Sequence, residues 1–153
     1  MTQQHPLGER HIAQVGIMVK DIEQSVEIYS RIFGMKKPEI IITDEYELAH
    51  TTYKGQPSPA KAKLAFFDMG QVQIELIEPM GDPSTWKDHL DRRGESVHHL
   101  AFIVPNTNQA LAFLSEQGIT VEQQGDYTGG RYTYVNSVPQ LGVALELLEN
   151  FDD

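Results

Sequence analysis

The sequence predicts an α+β fold made of two tandem βαβββ units, and three observations carry that prediction. The run Gln14-Val-Gly-Ile-Met-Val19 can be laid on the run His99-Leu-Ala-Phe-Ile-Val104 without a gap, and the match continues for about twenty residues. In both copies this strand-length apolar run is followed by apolar residues at helical spacing, closed by Gly34 in the first and Gly118 in the second. At the far end, Gln73-Ile-Glu-Leu-Ile-Glu78 parallels Ala144-Leu-Glu-Leu-Leu-Glu149. One unit is therefore used twice, over residues 11–78 and 97–149, with 79–96 as a linker.

Each element follows from local chemistry. In the first copy Asp21 can cap a helix whose stripe is Ile22, Val26, Tyr29 and Phe33. Strand candidates then run from Glu39 to Ile42, from Ala62 to Phe67 and from Val72 to Ile77, with the loop Gly55–Pro59 between the first two. The linker holds a short helix that Ser84 can cap, with Trp86 and Leu90 on one face. In the second copy Asn106 or Thr107 caps, and Ala110, Leu111 and Leu114 form the stripe. Strands follow at Ile119–Gln123 and Tyr132–Asn136, with Gly125 and Gly129-Gly130 as turn signals.

Composition bounds the function. With 153 residues and 40% apolar content, the chain can bury roughly 70% of its unfolded surface, so a metal would serve function rather than folding. The absence of cysteine excludes thiolate zinc sites, iron–sulfur clusters, disulfides and cysteine nucleophiles. A formal net charge of −10, with basic residues in scattered pairs such as Lys36-Lys37 and Arg92-Arg93, argues against nucleic acid and anionic lipid as partners. The polar run Met1–Arg10 reads as no signal peptide, and no stretch approaches the roughly 20 apolar residues that span a bilayer. The expectation is a cytoplasmic protein.

The repeat also singles out polar residues. On the strand from Val72, alternation sends Val72, Ile74 and Leu76 to the helix side and leaves Glu75 on the other face among apolar neighbours, where an unpaired charge is costly. Val143, Leu145 and Leu147 leave Glu146 in the equivalent place, and Gln14 is equivalent to His99. Alone, Glu75 would be a solvated face residue and His99 a hydrogen-bonded structural one; their equivalence changes that reading. Paired about a pseudo-twofold axis, Gln14, Glu75, His99 and Glu146 can converge inside one concave sheet as ligands of a divalent ion. His11 competes with Gln14 for the fourth position, although three residues away it falls on the other face of a straight strand. Glu78 and Glu149, of opposite parity, read as solvated; His98 should point away from His99; His5, His50 and His89 read as surface residues. Neither a P-loop nor a dinucleotide fingerprint is present.

These features resemble the vicinal oxygen chelate superfamily, which contains glyoxalase I, methylmalonyl-CoA epimerase, extradiol dioxygenases and bleomycin-resistance proteins. The carriers are Gln14-Val-Gly-Ile-Met-Val-Lys-Asp-Ile22 with Tyr29 and Phe33-Gly34, then Ile74-Glu75-Leu-Ile-Glu-Pro79, Gly94-Glu-Ser-Val-His-His99-Leu-Ala-Phe102 and Gly142-Val-Ala-Leu-Glu146-Leu147. The resemblance implies a cup-shaped, partly open mixed sheet with helices outside, a homodimer, and one divalent metal (Co, Ni, Zn or Mn) held by Gln14, Glu75, His99 and Glu146. Ile77–Ser84 and Arg93–His99 are similar to methylmalonyl-CoA epimerases, which implies an isomerase that moves a proton alpha to a carbonyl through a metal-held enolate. Epimerases usually carry His where this chain has Gln14, and His-Pro where it has Asn136-Ser137. The donor order Gln, Glu, His, Glu instead resembles glyoxalase I, a lactoylglutathione lyase. The implied substrate is then an acyl-CoA or a glutathione hemithioacetal, with Glu146 as mobile base and Glu75 as its counterpart. A ligand-sequestering protein of the bleomycin-resistance type is the third alternative, and would need no such tetrad.

Overall fold

The structure, a computed structural model, describes residues 4–151. Among the described residues, ten strands form one mixed sheet that curls into a half-barrel, with five helices. The first copy supplies β1 (Ile12–Met18), α1 (Ile22–Phe33), β2 (Ile41–Ile42), β5 (Lys61–Asp68) and β6 (Gln73–Met80). After α3 (Thr85–Arg93), the second copy supplies β7 (Ser96–Ile103), α4 (Thr107–Glu116), β8 (Val121–Tyr127), β9 (Gly130–Val135) and β10 (Ala144–Asn150), with the short α5 (Val138–Leu141) before the last strand. Among the described residues, no helix is long and apolar enough to cross a membrane.

The strand order β2-β5-β6-β1-β7-β10-β9-β8 has an internal symmetry. β1 pairs in parallel with β6, matching Gln14 with Gln73 and Gly16 with Glu75; β7 pairs in parallel with β10, matching His99 with Ala144 and Ala101 with Glu146. The same register thus occurs twice, and the antiparallel β1–β7 seam joins the halves. On the convex side, Ile22 and Val26 of α1 pack on Leu76 and Ala65, while Ala110 and Leu114 of α4 pack on Leu145 and Leu147. Full burial of a side chain such as Ile22 is worth about 1.5–3 kcal/mol. The linker helix closes one end of the concave side, where buried Trp86 meets Met18, Ile77 and Tyr134.

Asp21, Ser84 and Asn106 cap their helices as their side-chain chemistry requires. Three features depart from the sequence reading. Only Ile41–Ile42 of the Glu39–Ile42 candidate pairs as strand, and the polar stretch beyond it forms α2 (Tyr46–Ala49) and a hairpin, β3 (Thr52–Tyr53) and β4 (Gln56–Pro57). That hairpin pairs with β8, at the opposite edge from β2, so residues 43–51 strap the mouth of the cup. Gly125 is no turn: it lies within β8, where a Cβ would fall 2.7 Å from the Tyr132 ring.

Glu78 and Glu149 are the third departure. Each sits near the end of its copy's last strand, and each accepts a hydrogen bond from the first residue of the helix of that copy. The bonds are Ile22 N to Glu78 Oε1, 2.9 Å, and Thr107 N to Glu149 Oε1, 2.8 Å. An anion at an otherwise unpaired helix N-terminal amide is stabilising. Their repetition is architectural, and neither is a merely solvated carboxylate.

Candidate functional site

The four central strands bring three predicted residues into contact. Glu75 on β6, His99 on β7 and Glu146 on β10 are all buried, and one donor atom from each lies within 4.8 Å of the others. His99 Nε2 is 3.2 Å from Glu75 Oε1 and 3.2 Å from Glu146 Oε1. These are ion-pair contacts without hydrogen-bond geometry, so all three atoms lack a hydrogen-bond partner. Buried polar atoms without partners are costly, and three of them facing one point could together hold a cation. One imidazole and two carboxylates suit a borderline divalent ion.

Gln14 lines the same cavity, with its amide nitrogen donating to Gln73 Oε1 at 2.9 Å. That bond turns the amide oxygen away from Gln73. His11 is exposed ahead of β1 and takes no part in the lining.

The backbone explains how the imidazole reaches its place. Gly16 lies beside both Glu75 and His99 in the register, and a Cβ there would fall 2.0 Å from the His99 ring. Only glycine leaves that space. The β1–β7 ladder also shifts register twice, leaving Ala13 unmatched just before Gln14 and His98 unmatched just before His99. A bulge re-aims its side chain, which is why His98 does not point away from His99. The two Nδ1 atoms are 2.9 Å apart, and His98 Nε2 is 2.9 Å from Thr85 Oγ1.

The remaining histidines also have partners. His89 is half-buried, packs its ring on His98 and reaches Ser96 Oγ at 2.8 Å. His50 Nδ1 lies 3.3 Å from Asp126, and His5 Nδ1 accepts from the Leu7 amide.

Electrostatics follow the geometry. Burial opposes charge on His99, but Glu146 and Glu75 outweigh it and push its pKa up to about 10. Burial raises the Glu75 carboxyl, with Glu146 adding to the rise and His99 opposing it. His98 is held well below the ordinary imidazole value by burial, reinforced by His99 and His89. Burial raises the Tyr134 phenol well above its ordinary value and Tyr132 to about 12, so both hydroxyls stay protonated.

The donors open into a cavity of about 500 Å³, walled by Leu64, Phe66, Trp86, Tyr132 and Leu148 and bordered by β2 and by Thr43 and Asp44 of the strap. A profile of the Glyoxalase/Bleomycin resistance protein/Dioxygenase superfamily matches residues 13–136. The chain belongs to that superfamily. Among relatives, the uncharacterized Bacillus subtilis protein YqjC is 28% identical over 139 residues, covering 88% of this chain and 89% of its own. The bovine mitochondrial methylmalonyl-CoA epimerase is 23% identical over 108 residues, covering 70% of this chain and 54% of its own length. The crystal structure of methylmalonyl-CoA epimerase from Mycobacterium tuberculosis superimposes with a TM-score of 0.65, at 22% identity, over 99% of this chain and 94% of that one. At such identity the likeness to this solved member of the superfamily shows the fold alone.

The sequence reading missed Gly16 and His98. The first lies two residues into the repeat, where its equivalent is Ala101, and small side chains at equivalent positions were the available signal. The second needed the bulge, which leaves no trace in side-chain alternation.

Proposed function

We infer that the cup binds one divalent ion on Glu75, His99 and Glu146, with Gln14 as fourth donor. We further infer that the protein is an isomerase moving a proton on the carbon alpha to a carbonyl, as an epimerase does. The observation that carries this reading is the set of three buried, unpartnered donor atoms at the floor of a cavity large enough for a small substrate. A bound divalent ion would supply Lewis acidity toward a carbonyl oxygen and lower the cost of charge developing there.

The chain's own residues supply the rest. His99 and Gln14 contribute neutral donors, leaving the two carboxylates to balance charge. Glu146 is the base that takes the alpha proton, and Glu75, its counterpart across the pseudo-twofold, would serve the opposite face of that carbon. The buried phenols of Tyr132 and Tyr134 remain neutral and add no competing base. Similarity to epimerases in fold and to one epimerase in sequence supports this reading; the Gln, Glu, His, Glu donor order supports the related isomerisation of a glutathione hemithioacetal, which uses the same proton transfer.

The test is exchange of the alpha proton in D2O with zinc, manganese, cobalt or nickel added to the chelated protein, on a panel of acyl-CoA thioesters and glutathione hemithioacetals. Metal-dependent deuterium uptake that Glu146→Gln abolishes is the expected result. Tight ligand binding with no exchange in any compound would point to a sequestering protein instead.

A further inference from the structure

The charge around the proposed metal position restricts what can be turned over there. Glu75 and Glu146 together cancel a divalent cation, and neutral His99 and Gln14 add nothing. Among the described residues no lysine or arginine lines the cavity. Asp126, at the rim, is already neutralised by Arg131 at 2.7 Å with His50 at 3.3 Å. Asp44 on the strap also lines the cavity and has no ion-pair partner among the described residues. With the ion bound, the cup therefore has a net negative balance, and its lining mixes polar side chains such as Thr51 and Asn150 with the apolar Leu64, Phe66, Trp86 and Leu148.

We propose, resting on the metal and proton-transfer reading above, that the substrate is a carbonyl compound whose reacting carbon bears only uncharged, apolar substituents, any charged carrier lying outside the cup. A free carboxylate on that carbon, as in methylmalonyl-CoA, would enter a cavity in which Glu75 and Glu146 already balance the charge of the ion, no lysine or arginine lines the wall, and the exposed Asp44 adds like charge at the mouth. Moving a carboxylate from water into a site that offers it like charge and no basic side chain is unfavourable. A hydrocarbon substituent would instead be buried against Leu64, Phe66, Trp86 and Leu148 and gain from it.

Two thioesters that differ in this respect decide the matter, because the shared coenzyme A contribution cancels. Binding of 2-methylbutanoyl-CoA and methylmalonyl-CoA to the zinc-loaded protein is measured by calorimetry, and alpha-proton exchange is followed in D2O. The uncharged compound is expected to bind at least about tenfold more tightly and to exchange. Asp44→Asn should narrow the gap, and Leu148→Lys should narrow it further by giving the carboxylate a partner. Equal or tighter binding of methylmalonyl-CoA, with exchange, overturns the charge selection and leaves the proton-transfer reading standing. Preferred binding of the uncharged compound without exchange overturns proton transfer and leaves the selection standing. Binding of neither compound overturns both.

Discussion

The Nδ1 atoms of His98 and His99 lie 2.9 Å apart, a distance at which one proton, and only one, must stand between them. Two lone pairs would repel there, and so would two N–H groups. If His99 Nε2 is the metal donor, its own proton sits on Nδ1 and donates to His98, whose Nε2–H then donates to Thr85 Oγ1 at 2.9 Å. His98 thus selects the His99 tautomer that leaves Nε2 free. His98→Leu should lower zinc affinity by about 10–100-fold, the usual cost of losing such an outer partner. His98→Asn, which keeps an acceptor at the Nδ1 position, should recover most of it. Long-range proton–nitrogen correlation spectra would report which His99 nitrogen is protonated; an unchanged tautomer and unchanged affinity in His98→Leu would refute the assignment.

Gly16→Ala tests the other support of the imidazole. The new Cβ would lie 2.0 Å from the His99 ring, so the ring must leave its place between the carboxylates. We expect zinc affinity to fall by at least about tenfold while cooperative unfolding persists, since α1 and α4 pack on the far side of the sheet. Zinc titration alongside thermal melting separates the two effects, and wild-type affinity in this variant would count against the steric argument.

The central strands were legible because one register is used twice: a residue whose meaning is obscure alone, such as Glu75, becomes informative when Glu146 repeats it. Pairings between distant segments were not legible. In the hairpin at Thr52–Pro57, Gly55–Pro57 reads as part of a loop and the residues before it as the polar continuation of the Glu39–Ile42 strand candidate, since the true strand partner, β8, lies some 70 residues further on. His98 was misassigned because period-two alternation assumes an unbroken ladder, which the bulge interrupts. Glu78 and Glu149 were correctly seen to repeat, and their role was missed because the amides they cap belong to a helix that starts far away in the chain.

Those two glutamates make a prediction about stability. Replacing either by Ala leaves a helix N-terminal amide without its acceptor and should cost about 0.5–2 kcal/mol. Hydrogen bonding to Thr107 holds the Glu149 carboxyl below its ordinary value, more than its slight burial raises it. A depressed carboxyl stabilises the fold above its unfolded pKa and loses that contribution as pH falls through the folded one. The Glu149→Ala penalty in denaturant melts should therefore be full at pH 7 and shrink below the model-compound value of 4.5. A penalty that grows on acidification would contradict the capping role.

Metal binding should be linked to a proton at His99. Without metal, this imidazole is pushed up to about 10 by Glu146 and Glu75 against the opposing effect of burial, so near neutral pH it carries two protons. The raised value stabilises the metal-free fold fully below the ordinary 6.5, and that stabilisation is lost as pH rises through about 10. A metal at Nε2 must displace the proton there while the one facing His98 remains. Affinity should accordingly increase with pH, by about tenfold per unit where one proton is released per ion, and level off as pH approaches the imidazole's own value. Manganese titrations across the neutral to mildly alkaline range would give the slope. Calorimetry in two buffers of different ionisation enthalpy would count the protons directly. An affinity independent of pH, with the same heat in both buffers, would place the cation somewhere other than on His99.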